Sequence, residues 1–309
     1  MKLKFFTLLL LSAACFVSCR KINNDPDIKQ YDQQQIQSYI AANGLNGMVR
    51  DTTMGDTTGT YYQIISPGNT AKPMDYPSTI AYVYTFRTFD GKFLATDTAL
   101  NHFYGVLGHV APKGLMLAIR NNLKFNGGKM RVLVPSHLAY GKNGTAGAGS
   151  ITVTNGHIGG NQCLDITVNM ITDQAAYDQL VIKNYMAANN LTGYTETADG
   201  LWYKITAAPT GTNYFNVNTS TVTMNYSIYL MNNTNPDGNT FAKTLATFND
   251  FAASSYVPGF VEGLKILGRG TGGISIIVPS ALAYGTSGNS GIPANECLRW
   301  DMTNVSVTN

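Results

Sequence analysis

The chain has 309 residues, 44% hydrophobic and 13% charged, with 21 Lys and Arg against 18 Asp and Glu. That length can bury one large core or two ordinary ones, and internal repeats decide for two. Without Lys2 and Lys4, which fall in a leader, 19 bases face the 18 acids, so there is no basic stripe for a nucleic acid to bind.

Met1-Lys2-Leu3-Lys4 is a short basic opening, and Phe5 to Val17 is an apolar run too short to span a bilayer. Residues 1–18 therefore read as a secretory signal. Phe16-Val17-Ser18-Cys19 resembles the lipobox of bacterial lipoproteins, which implies lipidation at Cys19 and a membrane anchor in the bacterial cell envelope, at the outer membrane, on its periplasmic or surface face. Each methylene of an acyl chain buried in lipid adds ~0.8 kcal/mol. Residues 19–30 are polar, contain Pro26 and read as a tether. Cys15 leaves with the leader, and the two remaining cysteines, Cys163 and Cys297, are expected as buried free thiols and not as a disulfide.

The first structured segment runs from Tyr31, with Ile36, Tyr39 and Ile40 at helical spacing and Asn43-Gly44 as a stop signal. A short strand follows at Tyr62-Gln63-Ile64. Ile80, Tyr82, Tyr84 and Phe86 then alternate onto one face of a longer strand, and the turn signal Asp90-Gly91 leads to Phe93. Pro112 to Asn121 has helical patterning. Val134-Pro135-Ser136-His137-Leu138-Ala139-Tyr140-Gly141 comes next, then a glycine-rich loop, Ile158-Gly159-Gly160 and Asn161-Gln162-Cys163-Leu164-Asp165.

The whole plan then recurs. Tyr177-Asp178-Gln179, Ile182, Tyr185 and Met186 repeat the leading helix, with Asp173 as its N-cap. Tyr203-Lys204-Ile205 repeats the short strand; Val222, Met224, Tyr226, Ile228 and Leu230 repeat the alternating one; Asp237-Gly238 leads to Phe241. From Val257, Pro258 opens a short amphipathic helix with Phe260, Val261, Leu264 and Leu267 on one face and Gly268 as C-cap. The run Gly268-Arg269-Gly270-Thr271-Gly272-Gly273 fits G-x-G-x-x-G in spacing only. It ends a helix and enters a strand, the reverse of a phosphate-binding loop.

The second half closes on Val278-Pro279-Ser280-Ala281-Leu282-Ala283-Tyr284-Gly285 and Gly291-Ile292-Pro293-Ala294-Asn295-Glu296-Cys297-Leu298-Arg299-Trp300-Asp301. At these residues the chain resembles the FKBP family of peptidyl-prolyl cis-trans isomerases. Helix patterns embedded among strands argue an α+β class, and the resemblance implies two FKBP-like domains, each a twisted antiparallel sheet wrapped on a short helix and each preceded by an N-terminal helix. The first spans residues 31–172 and the second 173–309.

The resemblance further implies a substrate cleft formed in the second copy by Tyr226, Phe241, Phe260, Tyr284 and Trp300, with Val257 and Ile292 binding substrate. Phe260 stands where the family usually has Trp, and Trp300 where it usually has Phe. Tyr284 is the hydroxyl donor. The Asp that the family commonly places after Phe241 is Ala242 here, and Leu94 in the first copy. The first copy keeps Tyr84, Phe93 and Tyr140 but has Leu115 and Ile166 at the Phe260 and Trp300 positions, and is expected to be non-catalytic. Amide rotation needs no metal or cofactor, and His102, His109, His137 and His157 show no ligand spacing. Ser136 and Ser280 sit in no G-x-S-x-G elbow.

Two functions stay open: an isomerase or folding factor acting on proline-containing exported polypeptides, and a non-catalytic lipoprotein of the same fold that binds extended chains or scaffolds an envelope complex. The count of 18 Tyr with few charges also fits a carbohydrate-binding surface, but strands account for most of those tyrosines.

Overall fold

The computed structural model describes residues 27–55, 57–69, 72–99, 101–145, 157–234, 242–252 and 256–309, without the side chains of 242–245. The leader with Cys19, the Asp237-Gly238 turn signal and Phe241 lie outside the described residues.

Helix α1 (Ile28–Ala42) opens the first half. It starts inside the stretch assigned to the tether, since the Tyr31 N–H already donates to the Asp27 carbonyl at 3.0 Å. Strands β1 (Val49–Arg50), β2 (Tyr61–Ser66), β3 (Thr79–Thr88), β4 (Leu94–Ala95) and β5 (His102–Val106) follow, then helix α2 (Lys113–Ala118), β6 (Lys129–Val134) and β7 (Leu164–Met170). Helix α2 runs on as a wider π-type turn over Ile119–Leu123. The sheet order is β1-β2-β6-β7-β3-β4, with β5 also paired to β3. The alternation in β3 has the expected result: Ile80, Tyr82, Tyr84 and Phe86 are buried in one cluster with Leu115 and Ile119.

The second half repeats the arrangement. Helix α3 (Gln174–Ala188) is capped by Asp173, whose carboxylate accepts the Ala176 N–H at 2.9 Å. Strands β8 (Thr195–Glu196), β9 (Trp202–Tyr214), β10 (Thr221–Leu230) and β11 (Ala242–Phe248), helix α4 (Pro258–Leu267), and strands β12 (Arg269–Val278) and β13 (Leu298–Thr308) complete it. The sheet order β8-β9-β12-β13-β10-β11 matches that of the first half term by term, and all named pairs are antiparallel. Strand β9 is much longer than the short strand expected at Tyr203–Ile205. Its pairing with β8 covers only Trp202 and Tyr203, so Pro209 has no ladder bond to lose on that side among the described residues.

In each half the leading helix packs on the outer face of the sheet. Ile36 sits with Leu133 and Cys163, and Ile182 and Tyr185 sit with Ile277 and Cys297. Both cysteines are buried free thiols. Asp165 ties α1 to the first sheet by accepting the Tyr39 hydroxyl at 2.9 Å, Arg87 Nε at 2.9 Å and Arg131 through two nitrogens at 2.8 and 2.6 Å.

The halves touch. His102 Nε2 on β5 lies 3.5 Å from Glu296 Oε2, with both side chains buried, and the Asn232 amide donates to the Asp97 carboxylate. Burial pushes the Glu296 carboxyl well above the usual range and holds the His102 imidazole down at about 4, so burial disfavours charge on both partners. Neither this pair nor His137 with Asp32, at 2.8 Å, is marked by ligand spacing in the sequence.

Candidate active site

The base of the second-half aromatic cluster is set by how closely α4 approaches the sheet. Pro258 fixes the first turn and Gly268, at φ 82°, ends the helix. A Cβ at Gly259 would lie 2.4 Å from Val278 Cγ1 and one at Gly263 would lie 3.0 Å from Ile276 Cδ1, so glycine at both positions lets α4 lie directly on β12. Phe260 is thereby pressed into the core, 6.5 Å between ring centroids from Trp300 on β13.

Around that pair the fold gathers side chains from five further segments. Tyr226 of β10 and Phe248 of β11 are 5.7 Å apart, and Phe248 meets Phe260 at 5.2 Å. Tyr256 lies 5.7 Å from Phe260 and 5.2 Å from Phe251. Val257 and Tyr284 pack half-buried against the same cluster, and Ile292 is buried in it. Ile292 is carried by a small closed loop: the Asn289 and Ile292 backbones exchange hydrogen bonds at 2.9 and 2.8 Å, and Gly288, at φ 62°, has no room for a Cβ beside the Ile292 carbonyl.

Six of the seven cleft residues expected from the sequence are thus neighbours; Phe241 lies outside the described residues. Phe248, Phe251 and Tyr256 were not expected there. Strand β11 shifts register against β10 between Met224 and Tyr226, which hides the inward facing of Phe248, and Phe251 and Tyr256 lie beyond the strand, where no periodicity marks facing.

The described lining offers aromatic surface and the hydroxyls of Tyr226, Tyr256 and Tyr284, with no nucleophile poised for covalent chemistry. Such a cleft can strip water from a planar amide and offer it one hydrogen bond. A model of the FKBP-type peptidyl-prolyl cis-trans isomerase family matches residues 214–303, the span that holds this cleft. This part of the chain is similar to that family.

Curated proteins of the same family match over a similar region. The chain is 32% identical over 117 residues to FkpA of Escherichia coli strain K12, covering 37% of this chain and 40% of that protein. It is 29% identical over 153 residues to FkpA of Aeromonas hydrophila, covering 47% and 54%. It therefore spans about half or less of these relatives' lengths. Among solved structures, FkpA from Escherichia coli aligns at 20% identity and a TM-score of 0.33 over 55% of this chain and 68% of that one. The three FKBP domains of wheat FKBP73 align at 15% identity and a TM-score of 0.32 over 81% and 94%.

The first half departs from the second at this cluster. Phe248 pairs across the ladder with Val222, and the residue in that place of the first sheet is Gly105, opposite Ile80. The aromatic wall is missing there. Phe103 instead stacks on Tyr82 at 4.9 Å and Phe93 packs on Phe86 at 4.8 Å; Tyr84 is buried where Tyr226 is half-buried, while Leu115, Ile158 and Ile166 are buried as Phe260, Ile292 and Trp300 are. Burial raises the Tyr84 and Tyr140 hydroxyls above their ordinary range, the mark of groups withdrawn from water.

Proposed function

We propose that the chain is a peptidyl-prolyl cis-trans isomerase and folding factor for exported polypeptides, with its active cleft in the second half. The observation that carries this is the convergence of Tyr226, Val257, Phe260, Tyr284, Ile292 and Trp300 on one cluster within the family-matched span. Rotation about an amide faces a barrier of ~18–20 kcal/mol from resonance, and X-Pro bonds turn over in tens to hundreds of seconds unaided. The twisted transition state has lost much of the amide dipole, so a cleft that excludes water favours it over the planar ground state. A hydrogen bond from Tyr284 that improves on twisting adds to the effect, and each ~1.36 kcal/mol gained is tenfold in rate. The substrate is an X-Pro segment whose proline ring rests on Phe260 and Trp300, with Val257, Ile292 and Phe248 beside it.

The test is isomerisation of an X-Pro peptide by the full chain, coupled to an isomer-selective protease. A second reading rests on Ala242, which stands where the family commonly has a carboxylate: the same cleft binds extended polypeptide without turning it over. Peptide binding without acceleration selects that reading.

The first half acts as a non-catalytic copy, supported by Gly105 in the place of Phe248 and by Tyr84, which is buried where Tyr226 is half-buried. Lipidation of Cys19 would hold both halves at the outer membrane, where exported clients pass; Cys19→Ser should then move the protein to soluble fractions.

A further inference from the structure

Asp178 lies in the first half of helix α3, yet its carboxylate serves the turn that carries Tyr284. It is 1% exposed. Its Oδ2 accepts the Ser280 N–H at 2.8 Å and the Ser280 hydroxyl at 2.7 Å, while Oδ1 accepts Gln174 Nε2 at 2.7 Å. Ser280 opens the short turn Ser280–Leu282, so its N–H is one of the donors that a helical turn cannot satisfy from within. Ser280 is itself buried, and a buried donor must find an acceptor somewhere. Here the acceptor comes from an element 102 residues earlier in the chain.

The segment from Ser280 to Tyr284 is short and closed. The Leu282 N–H donates to the Pro279 carbonyl at 3.0 Å and the Ala283 N–H to the Ser280 carbonyl at 3.1 Å. The Asn295 N–H donates to the Gly285 carbonyl at 2.8 Å on the far side of Tyr284. With both flanks held, the place of Ser280 sets the place of the Tyr284 ring.

We propose that Asp178 is a positioning residue for the isomerase cleft: by anchoring Ser280 it holds the Tyr284 hydroxyl where the twisted amide needs a donor, which makes the leading helix a working part of the catalytic unit. This rests on the reading of the cleft as an isomerase site. The first half supplies an independent comparison. There Asp32 accepts from the next residue instead, His137, through its N–H at 3.2 Å and its Nδ1 at 2.8 Å, and the buried Ser136 hydroxyl has no hydrogen-bond partner among the described residues. The anchor has slipped by one residue in the half that has Gly105 in the place of Phe248.

The experiment compares full-chain Asp178→Ala, Asp178→Asn and Ser280→Ala by X-Pro turnover, by peptide Kd from tryptophan fluorescence, and by amide exchange over residues 280–284. Asp178→Ala should lower turnover about tenfold, ~1.4 kcal/mol of transition-state stabilisation, with peptide Kd within about twofold. Asp178→Asn keeps an oxygen for both Ser280 donors and should restore turnover to within about threefold of wild type. Exchange at residues 280–284 should quicken in Asp178→Ala while strand β12 stays protected.

Ser280→Ala, the milder change if Asp178→Ala does not fold, should lower turnover about threefold at unchanged Kd. Unchanged turnover in either Asp178→Ala or Ser280→Ala, or a loss that merely tracks Kd, overturns the proposal. If the wild type shows no turnover, the isomerase reading fails; exchange then decides the anchor alone, and unaltered protection over 280–284 in Asp178→Ala overturns it too.

Discussion

Phe248 and Phe260 meet at 5.2 Å, joining the edge strand β11 to the first turn of α4 along one side of the cleft. Their contact exists only in the second half, since the ladder position of Phe248 is Gly105 in the first. Phe248→Ala should therefore leave the second half without the ring that the first half lacks at this place. Turnover is expected to fall about tenfold, at a stability loss of ~1–2 kcal/mol because the ring is only half-buried. Urea unfolding alongside the protease-coupled assay separates the two effects, and retained turnover would remove Phe248 from the site.

Tyr284→Phe tests the donor while leaving the aromatic surface in place. One net hydrogen bond of ~1 kcal/mol corresponds to roughly fivefold in turnover. The matching change in the first half, Tyr140→Phe, should leave turnover as it is. Equal losses from both changes would show that catalysis is shared between the halves.

Asp165 gives a prediction for stability against pH. Burial alone would raise its pKa, but hydrogen bonds and charge from Arg131, with hydrogen bonds from Arg87 and Tyr39, outweigh burial and lower it below 3.8. A depressed folded-state pKa stabilises the fold above the unfolded value, and that contribution is lost as pH falls through the folded one. The first half should weaken below about pH 3.8 on this account. Asp165→Asn should flatten that acid limb and lower stability at neutral pH by ~2–3 kcal/mol, less than a fully buried pair because both arginines reach water. An acid limb of unchanged slope in the variant would contradict it.

Residues 173–309 should unfold cooperatively when expressed alone, because α3, the second sheet and α4 close a core of their own. Glu296 then loses His102 and Asp97 as neighbours. Its raised pKa means stability is fully present below 4.5 and declines as pH rises through the folded value, so removing part of its burial should shallow that decline. Chemical unfolding of fragment and full chain across roughly pH 4.5–8 is the check. A fragment without a cooperative transition would show that the halves are one folding unit.

The features legible in the sequence were local. Pro258 and Gly268 bracket α4, Asp173 caps α3, and the alternation in β3 buries the residues it marks, because each depends on neighbours within a turn or a strand. Contacts between distant segments stayed hidden. Asp32 reaches His137 across 105 residues, and His102 finds Glu296 in the other half; no periodicity encodes either. Strand β9 was read only at Tyr203–Ile205, whereas the structure carries it on through Ala207, Pro209 and Gly211 with register shifts opposite Gly270 to Gly273. The cleft was legible through motif order for most of its lining, and illegible at Phe248, where the strand's irregular register sets the facing.

The claim that the second half catalyses X-Pro rotation by desolvation is tested most directly by the full chain and its Phe260→Ala variant in the protease-coupled assay. Removing this ring should lower stability by ~3–5 kcal/mol, so turnover is read below the variant's unfolding temperature, with Phe260→Leu as the milder change. The account predicts clear acceleration by the wild type, none by Phe260→Ala and a partial rate for Phe260→Leu. A wild-type rate equal to that of the peptide alone, or a Phe260→Ala rate equal to that of the wild type, would contradict it.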